Sequence, residues 1–229
     1  MSPISLPGPV GRLFRRPCEG PVLLFDFDGV VADSLDAYFT AFTGVCTEMG
    51  FDRINSMESL LALFDGNVFV QLVRAGFPVT RLREMAVKFA PRIRAVAENV
   101  SPFPGMPEAL SRLAARHPLY IITSNDTAVV RSFLDRFGVT GVRDVIGSDI
   151  EPSKVKKIRA ARKREPRRTP YYIGDTRGDM SEARRARALP VAVTWGWHAE
   201  PRLLLGKPAH VVRTPEELEL LFPCLPSSP

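Results

Sequence analysis

Cysteine is scarce. The three present, Cys18, Cys46 and Cys224, lie far apart and at no metal-ligand spacing. That argues against a cysteine metal site or nucleophile and points to free thiols in a reducing, cytoplasmic setting. Long apolar runs are also missing. None approaches the roughly 20 residues a bilayer-spanning helix needs, so no membrane partner is expected. Met1 to Gly20 has no apolar stretch of the secretory kind; rich in Pro, Gly and Arg, it reads as a flexible N-terminal tail, residues 1–20. Internal repeats and low-complexity segments are lacking. The formal charge is +6, much of it from Arg12, Arg15 and Arg16 and from the Lys156 to Arg168 region. That second region lacks the interleaved aromatics of a base-stacking surface. It reads as a solvated helix face, so no nucleic-acid partner is expected, only a mild attraction for anionic substrates.

What is present suits one large domain or a core with a modest insertion: 229 residues, 45% hydrophobic. The chain is organised around Leu23-Leu24-Phe25-Asp26-Phe27-Asp28-Gly29. The apolar run Val22 to Phe25 has the character of a fully buried parallel strand. Two carboxylates and a glycine follow it. Asp26 and Asp28 would share a face if the strand continued, but Gly29 breaks it and lets Asp28 curl over the strand end. Two acids held there need a shared cation or proton. That means a metal site, a nucleophile with an acid beside it, or both. The plain alternative is a hairpin turn, for which Asp-Gly is a common pair.

Downstream, helical patterns cover Leu35 to Met49, Met57 to Phe64, Val68 to Gly76 and Thr80 to Glu98. Asp36 to about Val100 therefore reads as an all-helical insertion, closed by the turn-rich Pro102-Phe103-Pro104-Gly105. From there helices and strands alternate. Strands are expected at Leu119–Ile122, Val145–Gly147, Tyr171–Ile173, Pro190–Thr194 and His210–Val212. Helices are expected at Met106–Ala115, Thr127–Phe137, Ser153–Arg164, Met180–Ala188, Pro201–Leu205 and Pro215–Leu221. That is an α/β fold, a parallel sheet with helices on both faces.

In such a sheet the strand ends carry the chemistry. Here they carry Asp26 and Asp28, Thr123 and Ser124, Lys154, and then Asp175, Thr176 and Asp179. The set fits phosphoryl transfer through a carboxylate. Asp26 would attack phosphorus and Asp28 would serve as acid, then base. Lys154, the Thr123 hydroxyl and the Ser124 N–H would stabilise the transferring oxygens. Mg²⁺ would sit between the Asp26 and Asp175 carboxylates and the substrate phosphate. Taken singly, Thr123 and Ser124 read more readily as a helix cap and Lys154 as a solvated lysine, and Asp179 could simply be a helix-start acid. Lys157 competes with Lys154; Pro152-Ser153 favours Lys154 by placing it at a helix start.

With those residues in view, the chain resembles the haloacid dehalogenase-like hydrolase superfamily. Asp26 to Ser34 is similar to its first motif, Ile121-Ile122-Thr123 to the second, Lys154 to the third, and Gly174 to Asp179 to the fourth. The resemblance implies a Rossmann-like core from residues 21–35 and 101–225, with a helical cap from 36–100. It also implies Mg²⁺, an aspartyl-phosphate intermediate, a metal ligand from the Asp28 carbonyl, and Asp179 on the metal directly or through water. Dehalogenases lack the second acid, present here as Asp28. β-Phosphoglucomutases carry a cap histidine where this chain has Tyr38. The Phe103-Pro104-Gly105 and Thr194-Trp195-Gly196 segments look more like the phosphoglycolate-phosphatase-type members. The expected activity is hydrolysis of a small phosphomonoester, phosphoglycolate-like or a sugar phosphate, by a monomer or homodimer. The alternatives are a phosphosugar mutase or a non-catalytic binding module. Asp65, Asn67 and Arg74, polar residues in an apolar helical stretch, are the candidates for substrate selection.

Overall fold

A computed structural model describes residues 19–223. Most of the reading of the 1–20 tail, and Cys18 and Cys224, lie outside those residues. Glu19 and Gly20 do not belong to a loose tail. The Glu19 N–H donates to the Arg167 carbonyl (3.1 Å), and the Gly20 carbonyl accepts from Thr169 (3.0 Å).

The chain runs β1 (Pro21–Phe25), β2 (Ala32–Asp33), α1 (Leu35–Glu48), α2 (Met57–Leu63) and α3 (Val68–Arg74). A single 3₁₀ turn, Val79–Arg81, leads into α4 (Leu82–Ala97). Then follow β3 (Ser101–Pro102), α5 (Met106–Arg116), β4 (Leu119–Ile122), α6 (Thr127–Arg136), β5 (Asp144–Ile146) and α7 (Lys154–Arg164). The chain ends with β6 (Thr169–Gly174), α8 (Arg177–Arg185), β7 (Leu189–Val193), α9 (Glu200–Leu205), β8 (His210–Val212) and α10 (Pro215–Leu221).

Six strands form one parallel sheet in the order β5-β4-β1-β6-β7-β8. β1 is central because its sequence can be buried on both faces. Val22, Leu23, Leu24 and Phe25 are all fully buried. Leu23 and Phe25 pack into the core under α5, α6 and α10, while Val22 and Leu24 pack on the opposite face against α7 and α8. The chain lays strands to one side of β1, then returns to its other side with β6. Such a reversal opens a crevice at the carboxyl ends of β1 and β6, where open α/β sheets bind ligands.

The hairpin alternative for Asp26 and Asp28 is excluded, because β1 pairs with β4 and β6 and with no strand that follows directly. Gly29, at φ +77°, instead turns the chain into a tight loop. That loop is held by Val31 and Ala32 N–H groups donating to the Phe27 carbonyl, at 2.9 and 3.0 Å. It delivers β2, which pairs antiparallel with β3 in the register Ala32↔Pro102 and Asp33↔Ser101. The two crossings into and out of the helical insertion thus lie side by side.

The insertion, α1 to α4, has an apolar cluster of its own that includes Phe42, Val45, Leu60, Leu63, Leu72, Phe77 and Met85. One turn, just after α2, approaches the core closely. The Phe64 carbonyl accepts the Gly178 N–H (2.8 Å), and a Cβ on Gly178 would sit 2.7 Å from that same oxygen, so only glycine permits the approach. Asp65 beside it takes both arms of Arg202, at 2.8 and 2.9 Å. His198 completes the seam. Its Nδ1 accepts the Arg177 N–H (3.1 Å) and its Nε2 reaches the Leu61 carbonyl (2.9 Å), which fixes the neutral Nε2–H form.

Candidate active site

Asp26 is the first residue past β1, and β6 ends one residue before Asp175. Neighbouring parallel strands in register therefore bring these two acids together, Phe25 lying opposite Ile173. Asp179 arrives from a different cause. Thr176 caps α8, its hydroxyl accepting the Asp179 N–H (3.1 Å), while the Asp179 carboxylate accepts the Thr176 N–H (3.1 Å). This reciprocal cap starts α8 at Arg177, three residues earlier than the apolar pattern indicates, and turns Asp179 inward. Oxygens of Asp26, Asp175 and Asp179 all lie within 4.8 Å of one another, and all three residues are buried.

Lys154 opens α7, whose N-cap Ser153 accepts from the Lys156 N–H. Its ammonium donates to Asp26 Oδ2 (2.5 Å) and Asp179 Oδ1 (2.8 Å). Lys157 points elsewhere, to the Thr123 carbonyl. Of the two lysines, Lys154 is the one whose ammonium reaches the acids. Lys157 is fully buried, and burial, together with the neighbouring Lys154, lowers its ammonium from 10.5 to about 8. The unfolded chain keeps that proton to about pH 10.5 and the folded chain only to about 8. Stability contributed by this residue therefore rises with pH between those values and is lost below 8. Lys157→Met should flatten that part of the stability–pH profile; chemical denaturation at pH 7.5 and 9.5 measures it.

Asp28 stands outside the trio. Its Oδ1 accepts the Ser34 hydroxyl (2.8 Å), and Ser34, although at the N-cap of α1, makes no side-chain cap. That hydroxyl is committed to the site instead of the helix. Burial raises the Asp28 carboxyl, which suits a group that must carry a proton. Thr123 is fully buried, and its Oγ1 accepts the Asn125 N–H (2.9 Å). The cap of α6 is Asp126, not Thr123 or Ser124. Ser124 lines the cavity directly.

Three carboxylates with one ammonium leave an excess of negative charge in a buried place. Burial, then the neighbouring acids, pushes Asp26 and Asp175 well above the usual carboxylate range. Burial acts the same way on Asp179, but Lys154 and the Thr176 hydrogen bonds outweigh it and hold that carboxyl low. Asp175 shows what the site demands. Its Oδ2 accepts the Trp197 N–H (2.7 Å), while its buried Oδ1 has no hydrogen-bond partner among the described residues. An unsatisfied buried carboxylate oxygen beside two further carboxylates fits a hard divalent cation, which takes oxygen ligands. Gly29 is part of that fit. A Cβ there would lie 2.0 Å from Asp175 Oδ2, so the loop can close over the acid only as glycine.

The acids floor a cavity of about 380 Å³ between the strand ends and the insertion. Asp65, Asn67 and Arg74 do not line it. Asp65 is taken by Arg202, Asn67 caps α3 and Arg74 is exposed. Its far wall is aromatic. Tyr38 sits 4.9 Å from Phe89 and 5.0 Å from Trp197, ring centre to ring centre, and Trp197 sits 4.7 Å from Phe64. Sequence reasoning missed these residues because helical apolar spacing reads as core, and most of these side chains also pack against the insertion's own cluster. Trp197 and His198 follow a strand, and that position alone could have marked them.

The model of the haloacid dehalogenase-like hydrolase family matches residues 23–193. The phosphoglycolate phosphatase of Synechococcus elongatus is 25% identical over 201 residues, covering 86% of this chain and 94% of that one. Among solved structures, a haloacid dehalogenase-like family hydrolase from Streptococcus pneumoniae superposes with a TM-score of 0.70 at 24% identity, over 86% of this chain and 96% of that one. A predicted phosphatase from Clostridium acetobutylicum gives 0.74 at 19% identity, over 86% and 95%. Those two likenesses speak for the fold, while the family model spans the segment from the first strand to β7 that carries every acid described above. This chain belongs to the haloacid dehalogenase-like hydrolase family.

Proposed function

We propose that this protein is a Mg²⁺-dependent phosphatase that hydrolyses a small phosphomonoester through an aspartyl phosphate on Asp26. The observation that supports this most is the single ammonium of Lys154 joined to both Asp26 and Asp179, with Asp175 in the same cluster. Asp26 attacks phosphorus; a P–O bond to its carboxylate forms as the ester P–O bond breaks. Asp28, held by Ser34, gives its proton to the departing alkoxide. It then takes a proton from water, which attacks phosphorus, releases inorganic phosphate and regenerates Asp26. Lys154 and Ser124 are assigned to the phosphoryl oxygens. So is Thr123, whose hydroxyl oxygen accepts the Asn125 N–H.

The carboxylates of Asp26, Asp175 and Asp179, with the Asp28 carbonyl, would hold the cation. When bound, Mg²⁺ supplies the positive charge that lets a dianionic ester approach an anionic nucleophile. The helical insertion, residues 36–100, is assigned as a cap on the core of residues 21–35 and 101–225, excluding water when closed. A mutase reading gains nothing from Tyr38. Burial raises its phenol far above neutrality, so it offers no base for a sugar hydroxyl. The test is phosphate release from a panel of phosphomonoesters, phosphoglycolate included, with Mg²⁺ and with chelator. Release that depends on Mg²⁺ is expected. Isomer formation without phosphate release would turn the assignment to a mutase.

A further inference from the structure

The relative named above is a phosphoglycolate phosphatase, and phosphoglycolate carries a carboxylate on the half that leaves. The cavity of this chain is not built for one. Its polar lining, Ser124, Asn125, Asp126, Ser148 and Thr176 with the acids and Lys154, belongs to the loops at the strand ends, where the phosphate would sit. The wall facing them, which the alcohol half would meet, is Tyr38, Phe42, Phe64, Leu72, Phe89 and Ile93. Arg94 is the one cation that the insertion contributes to the lining. It is already paired with Asp126 at 2.6 Å, and its side chain is 55% exposed. Lys154 is committed to Asp26 and Asp179. A second carboxylate, or a ring of sugar hydroxyls, would lose its water against that wall and gain too few partners to replace it. The donors on the aromatic side are two, the Tyr38 phenol and the indole N–H of Trp197, the latter buried and without a partner among the described residues.

Resting on the phosphatase reading above, we propose that the alcohol half of the substrate is apolar and bulky, an aryl or medium-chain alkyl group. About 380 Å³ is within the range of pockets that enclose small organic ligands. Burial against aliphatic and aromatic side chains contributes in proportion to the apolar area covered.

A homologous series of n-alkyl phosphates, ethyl to octyl, tests this, because leaving-group basicity is nearly constant along it. With Mg²⁺ present, kcat/KM is expected to rise about 3- to 4-fold per added methylene until the cavity is filled. Phosphoglycolate should fall at least about 10-fold below butyl phosphate, the penalty for an unpaired buried charge. The same chain-length slope is expected in the calorimetric affinity of the matching alkylphosphonates, which are not hydrolysed. Ala90→Phe, which adds bulk on the cavity wall, should move the break in the slope to shorter chains. Turnover that is flat along the series, or best with phosphoglycolate, overturns the apolar assignment and leaves the phosphatase reading standing. A phosphonate slope with no turnover of any ester overturns the phosphatase reading and leaves the apolar site. Neither slope nor turnover in a folded protein overturns both.

Discussion

Asp26→Asn should reduce phosphate release by about 10⁴-fold or more, since an amide cannot form the acyl phosphate and nucleophile removal is rarely compensated. The fold should survive. Asp26 Oδ1 accepts the Phe27 N–H at 2.8 Å, and an amide oxygen can do the same. Lys154 keeps its second partner, Asp179. Removing one of three crowded, buried carboxylates relieves repulsion, so the melting temperature in chelator should be unchanged or higher. Thermal melts and single-turnover phosphate release measure the two effects separately. A variant that turns over at the wild-type rate would place the nucleophile elsewhere.

Lys154→Met should harm both stability and turnover. The lysine side chain is 14% exposed and is the only cation in direct contact with Asp26 and Asp179 among the described residues. Taking away one partner of a buried ionic group leaves charges uncompensated, at roughly 3–5 kcal/mol. Turnover should drop by about 10²–10³-fold, the usual effect of removing a donor from developing negative charge. Mg²⁺ should restore part of the stability and little of the rate, because a cation bound only to the folded state stabilises it by mass action. Urea unfolding with chelator and with Mg²⁺ makes the comparison. A variant equal to wild type in chelator would mean that the carboxylates are held apart from the ammonium in solution.

Much of this was legible in the amino-acid order, because strong local signals coincide with topology there. The run Val22 to Phe25 has the character of a buried strand, and each later strand places its polar residues at the same end of the sheet. Asp26 and Asp175 converge as the strand order requires, and Lys154 and Asp179 join them from the starts of α7 and α8. What escaped was set by long-range partners. β2 and β3 are two residues each, too short for any periodicity, and exist only because they meet each other. β6 begins at Thr169, ahead of its apolar run, because β1 beside it begins at Pro21. α8 starts at Arg177 because Asp179 serves the helix and the site at once, a double role that neither reading anticipates alone. The polar residues of the insertion were the natural choices for contacting substrate, yet Asp65 is used to dock the insertion. The cavity wall is made of residues whose spacing resembles ordinary packing.

The β2–β3 ribbon has a consequence for how such enzymes diversify. Asp33 and Ser101 are register partners, so the ends left by excising everything between them already face each other across one rung. The insertion therefore enters and leaves the core at one rung. A tight turn could join those ends at small entropic cost, but the exchange would take with it Ser34, the partner of Asp28, and the Phe64, Leu61 and Asp65 contacts to the core. A foreign helical module stitched in at that rung would have to bring its own hydroxyl for Asp28 and its own carbonyl for Gly178 before its wall could meet a substrate.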